Sequence, residues 1–165
     1  MTRVTAYLTE DHARLHVLLD RAVAAEPFDT VAFEQFRGGL LRHIGIEEKV
    51  MLPAVRRPLG QPLDEARQLR IEHGALTSLL VPTPDAALVT EIAGLLGRHD
   101  AREEGADGVY ARCEAILGDE SFELAERARQ FPAVPTTRHF DGQGVHRTAA
   151  SALASSERSA SRRRS

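Results

Sequence analysis

Two short stretches constrain this chain more than anything else in it: His43-Ile44-Gly45-Ile46-Glu47-Glu48 and His99-Asp100-Ala101-Arg102-Glu103-Glu104. Both read H-x-x-x-E-E. On a helix, residues four apart share a face and stand about 6 Å apart along the axis. An imidazole and a carboxylate so placed reach for the same point. Two further histidines, His12 and His73, each precede one of these stretches.

The apolar residues around them repeat with a helical period. Leu8, His12, Leu15, Leu19 and Ala22 form one seam, and Glu26-Pro27-Phe28-Asp29 breaks it. Asp29 or Thr30 stands where the next helix needs an N-cap. That second segment runs to about Leu52 through Phe33, Phe36, Leu40, His43, Glu47 and Val50. Three prolines and Gly60 mark Pro53 to Pro62 as a loop. A third segment, from Leu63 or Asp64 to Leu80, carries Ala66, Leu69, His73 and Leu76. A fourth, from Asp85 to Leu117, carries Val89, Ile92, Leu96, His99, Glu103, Ala106, Tyr110 and Cys113. Strand-like alternation is missing. The expected fold class is all-α: an up-down-up-down four-helix bundle over residues 1–118. A short docking helix follows over 119–131, with Phe122, Leu124 and Ala125. Residues 132–165, rich in Arg, Ser and Ala, read as a mostly disordered tail, and His139 and His146 within it are set apart from the site.

The levels of the helices decide whether the motifs meet. A turn centred between Pro27 and Phe28 sets His12 opposite His43. His73 and His99 reach one level only if Val81 to Pro84 runs extended along the third helix axis.

A histidine on an apolar seam is usually a hydrogen-bonded core residue. A seam glutamate is different, because a buried carboxylate costs several kcal/mol (about) unless it is paired. Four segments each bring a seam histidine, two add a glutamate, and no Lys or Arg shares those seams at that level. Cations satisfy the whole set. The candidate metal ligands are His12, His43, Glu47, His73, His99 and Glu103, with His16, one turn after His12, as a further imidazole. Thr77 holds the matching place after His73. Glu48 and Glu104 read as outer-sphere or solvent-facing, and Asp11 and Glu72 as helix-surface charges. Tyr110 either lines the pocket or packs in the core. Cys113 reads as too far along a continuous helix to ligate. Imidazole and carboxylate without thiolate suit iron, manganese or zinc, and two carboxylates able to bridge suit two ions.

The single cysteine excludes an internal disulfide framework and fits a reducing compartment. With no basic-then-apolar leader and no long apolar run, a cytoplasmic protein without a membrane span is expected. The formal charge of −3 is unevenly spread: residues 131–165 hold six Arg against Asp141 and Glu157, so the body is acidic. Nucleic-acid binding by the bundle is not expected. No feature names a protein partner.

The order His12, His43-x-x-x-Glu47, His73, His99-x-x-x-Glu103 resembles the hemerythrin-like, or HHE cation-binding, domain over about residues 8–118. The resemblance implies a non-haem di-iron centre, two irons per chain, with Glu47 and Glu103 bridging and imidazoles terminal. Oxygen-carrying members pair two histidines four apart on the third helix. Here that helix has His73 and Thr77, and the pair His12 and His16 lies on the first. The implied function is binding or sensing of O2, NO or iron. The alternatives are a di-iron enzyme acting on peroxide or NO, an iron-centre repair protein, and a structural bundle whose metal is incidental.

Overall fold

The computed structural model describes residues 1–163, and these are all-helical with no strand among them. Helix α1 spans Val4–Ala24 and α2 spans Thr30–Ile46. Asp29 caps α2, its Oδ1 accepting from Ala32 N at 2.9 Å. The chain then does not stop before Pro53, as its prolines predict. It passes through a π-helical turn, Glu47–Met51, into α3, Leu52–Leu59. A proline inside a helix lacks a donor and crowds the preceding turn. The wider π turn sits directly ahead of Pro53, where it relieves that crowding, and left-handed Gly60 (φ 70°) ends α3.

Helices α4 (Ala66–Leu79) and α5 (Ala86–Glu104) follow, the latter capped by Asp85 through Leu88 N at 2.8 Å. The expected continuous helix to Leu117 is broken. The chain turns over Gly105–Gly108 into α6, Val109–Leu117. Gly108 is required there, because a Cβ at that position would stand 2.5 Å from Glu103 O. Helix α7, Glu120–Arg129, docks Leu124, Ala125 and Ala128. No helix among the described residues is long and apolar enough to cross a membrane.

Packing divides the interior into two apolar clusters. One holds Leu15, Leu40, Leu76 and Leu96; the other holds Leu8, Ile46, Leu69 and Val109. His12 lies between Leu8 and Leu15, His43 between Leu40 and Ile46, His73 between Leu69 and Leu76, and His99 between Leu96 and Val109. The four histidines therefore sit in one layer, sandwiched between the clusters. Helix α1 packs on α2 and α5, and α4 packs on α5 and α8.

The disordered tail expected from residue 132 is corrected over most of its length. Residues 149–162 form helix α8 (Ala149–Arg162), laid along α4. Ala149 and Ala152 are buried in the first cluster, and Ser156 Oγ donates to Ile71 O at 2.7 Å. Gly74 permits this approach, since a Cβ there would meet Ser156 Oγ at 2.5 Å. The connecting segment is tied down too: Arg37 donates to Thr137 O at 2.7 Å, and Phe140 N donates to Val81 O at 3.0 Å. Small residues hid the docking face. Ala149, Ala152, Leu153 and Ser156 have helical spacing, but too little apolar bulk to register as a seam. Residues 164 and 165 lie outside the described part.

Candidate metal centre

Six side chains from α1, α2, the π turn, α4 and α5 converge in the layer between the clusters. His12, His43, Glu47, His73, His99 and Glu103 are each no more than 3% exposed. The imidazoles stand in pairs: ring centroids are 4.4 Å apart for His12 and His43, and 4.9 Å apart for His73 and His99. The second distance shows that the Val81–Pro84 link does bring α4 and α5 into register.

Each glutamate divides its two oxygens between the pairs. Glu47 Oε1 lies 3.5 Å from His43 Nε2, and its Oε2 lies 3.1 Å from His73 Nε2. Glu103 Oε2 lies 3.4 Å from His12 Nε2, and its Oε1 lies 3.2 Å from His99 Nε2. Two four-donor groups result, one on His12 and His43 and one on His73 and His99, both including Glu47 and Glu103. Within each group the donor atoms lie within 4.8 Å of one another. Two donors each about 2.1 Å from one ion stand roughly 3.0–3.4 Å apart, close to the 3.1–3.5 Å between the glutamate oxygens and their neighbouring imidazoles. His12 Nε2, His43 Nε2, His73 Nε2, Glu47 Oε2 and both oxygens of Glu103 are buried without a hydrogen-bond partner. These buried groups can hold a metal ion.

The outward nitrogens are all occupied. His12 Nδ1 donates to Glu104 at 2.6 Å, His43 Nδ1 to Asp11 at 3.0 Å, His73 Nδ1 to Glu48 at 2.9 Å and His99 Nδ1 to Glu72 at 2.8 Å. An ionised carboxylate only accepts, so Nδ1 carries a proton and Nε2 is aimed inward, where its lone pair can ligate a metal once any proton on it has left. The four carboxylates form a closed ring: Asp11 on α1 holds the histidine of α2, Glu48 that of α4, Glu72 that of α5, and Glu104 that of α1. Asp11 and Glu72 are thus buried partners of the centre, not surface charges. In the sequence each directly precedes a seam histidine in the same place of the two halves, which pairs them with each other but does not by itself bury them. Glu48 and Glu104 also bond to imidazoles, while remaining about one-third exposed on the side chain.

Without metal, protons balance the charge. Burial works against charge on His43, but Glu47 and Asp11 outweigh it and raise the imidazole to about 10. His99 is likewise raised to about 10, against burial, by Glu103 and Glu72. Burial and the neighbouring Glu47 push Glu103 up to about 7. Burial, followed by the charge on His43, lowers His12. Metal entering this set competes with those protons.

Tyr110 reaches the centre because the chain turns at Gly105–Gly108. Its Oη donates to Glu47 Oε1 at 2.6 Å, and burial, with Glu47 and Glu103, holds the phenol well above its ordinary range. The same turn brings Cys113 back into the apolar cluster beneath the centre. Burial and the Glu47 and Glu103 carboxylates raise its thiol to about 12, which marks it as an inert core residue. His16 belongs to neither four-donor group. Its Nε2 bonds Asp100 Oδ2 at 2.6 Å, and its side chain is 39% exposed. His139 bonds Glu34, away from the centre.

The His73 side of the layer borders a groove of about 390 Å³ between α2 and α4, roofed by α8. Ile44, Glu48, Thr77 and Ser156 line it together with His73.

Comparison with known proteins yields no matching family model, no matching curated protein and no matching solved structure. What defines the class of this site is therefore its donor set: a buried imidazole–carboxylate cluster, able to hold a metal ion, in an all-helical scaffold.

Proposed function

We propose that the chain is a hemerythrin-like four-helix bundle, with α1, α2, α4 and α5 as its staves, that holds two irons and binds or senses a small diatomic ligand such as O2 or NO. The observation that carries this reading is the division of Glu47 and Glu103, each offering one oxygen to either histidine pair. Two ions, one on each histidine pair, would use all four of those oxygens. Mixed nitrogen and oxygen donors without sulfur favour iron, with manganese or zinc as the other candidates for the same set. When bound, the irons would supply reversible ligand binding or one-electron chemistry. The chain itself orients the imidazoles through the carboxylate ring, keeps bulk water out with the two apolar clusters, and holds a proton on Tyr110 next to Glu47.

That proton donor favours a second reading, an enzyme acting on peroxide or NO. Elemental analysis and an optical spectrum of the protein as purified test the first: two irons per chain with near-ultraviolet charge-transfer bands support it, and an iron-free protein rejects it. Adding excess peroxide or NO to iron-loaded protein separates the two readings. Catalytic consumption establishes the enzyme; uptake limited to stoichiometric amounts establishes the binder.

A further inference from the structure

The two halves of the centre repeat each other closely, but one pair of residues has no counterpart. His12 and His73 are equivalent, as are His43 and His99. By that equivalence Asp100 matches Ile44, and His16 matches Thr77. Only one half therefore carries a carboxylate and an imidazole at these places.

Asp100 is 8% exposed. Its Oδ2 accepts from His16 Nε2 at 2.6 Å. Its Oδ1 has no hydrogen-bond partner and lies 3.5 Å from His12 Nε2, the nitrogen that faces the centre. That is the separation shown by the other neighbouring donors of the layer, for example 3.4 Å between His12 Nε2 and Glu103 Oε2. Asp100 stands at the rim of the His12 group, outside the four atoms that lie within 4.8 Å of one another. A buried carboxylate oxygen left bare is costly. Holding its other oxygen on a histidine keeps it aimed.

We propose that Asp100 is an additional oxygen donor to the ion on His12 and His43, positioned by His16, so that the two metal positions differ in affinity. The position on His73 and His99 has no such donor. Ile44 and Thr77 stand there instead, lining the groove that His73 borders. This inference rests on the two-ion reading above and goes beyond it in making the positions unlike.

Co2+ titration of the metal-free full-length chain, followed by d–d absorption, is the test. Wild type takes up two ions in two resolved steps. Asp100→Asn weakens one step about 10- to 100-fold and leaves the other in place; His16→Ala weakens the same step toward the lower end of that range. Thr77→Ala changes neither step. If Asp100→Asn leaves both steps unchanged, or weakens both equally, Asp100 is not a donor to one position. If Asp100→Asn does not fold, His16→Ala decides: two unchanged steps overturn the proposal. Wild type binding one ion or none instead overturns the two-ion reading, and the Asp100 assignment with it.

Discussion

Asp11 on α1 accepts the Nδ1 proton of His43 on α2 at 3.0 Å, while its neighbour His12 turns its own Nε2 into the centre. One turn of α1 thus supplies an inner donor and the outer support of a donor on the next helix. Glu72 and His73 repeat the arrangement toward His99. Asp11→Asn keeps the shape but removes the charge that fixes the His43 tautomer. It is expected to weaken metal binding about 10- to 100-fold in a chelator competition, with Glu72→Gln acting alike. An unchanged affinity in both variants would mean the carboxylate ring does not support ligation.

Tyr110 gives Glu47 Oε1 its hydrogen bond. Tyr110→Phe leaves a buried carboxylate oxygen without that partner and is expected to destabilise the metal-free protein by about 1–3 kcal/mol in urea unfolding. Metal loading is expected to shrink the difference, since Glu47 then has another partner.

The pH dependence of the metal-free protein follows from His43 and His99. Both are raised to about 10 from an ordinary value near 6.5. The folded state therefore binds protons that the unfolded chain has released, and this stabilisation is fully present below about 6.5 and lost as pH rises through 10. Glu103, raised to about 7, acts in the same direction between about 4.5 and 7. Thermal melts of metal-free protein should show Tm falling from pH 6.5 to 10. Metal-loaded protein should show a flatter profile, because its imidazoles hold ions instead of protons. A Tm that rises over this range without metal would contradict the charge assignment.

Gly74 lets α8 close on α4. Gly74→Ala places a methyl group against Ser156 and is expected to cost about 1–3 kcal/mol through overpacking. Because α8 roofs the groove beside His73, the same variant should release metal to a chelator faster than wild type. Unchanged release with an intact fold would show that the groove is not the exit.

The histidine–glutamate layer was legible because the spacing of His43 and Glu47, and of His99 and Glu103, is set by helix geometry alone. The facing of His12 and His43 followed from the tight link at Pro27. Asp11 and Glu72 were not legible as buried, since each lies about 100° around its helix from the seam, and only the neighbouring helix covers them. The turn at Gly105–Gly108 was masked by a seam that continues in register through Tyr110 and Cys113. Pro53 pointed to a loop because nothing local announces the π turn at Glu47–Met51 that accommodates it. Helix α8 escaped notice because alanines and serines bury little surface, and its place depends on the missing side chain of Gly74.

In the proposed centre Glu47 and Glu103 are shared between two ions. Anomalous diffraction from a crystal of iron-loaded protein would locate them. Two peaks are expected in the layer, each about 2.0–2.2 Å from the Nε2 atoms of one histidine pair and from one oxygen of each glutamate. A single peak, or iron found only outside the layer, would contradict it.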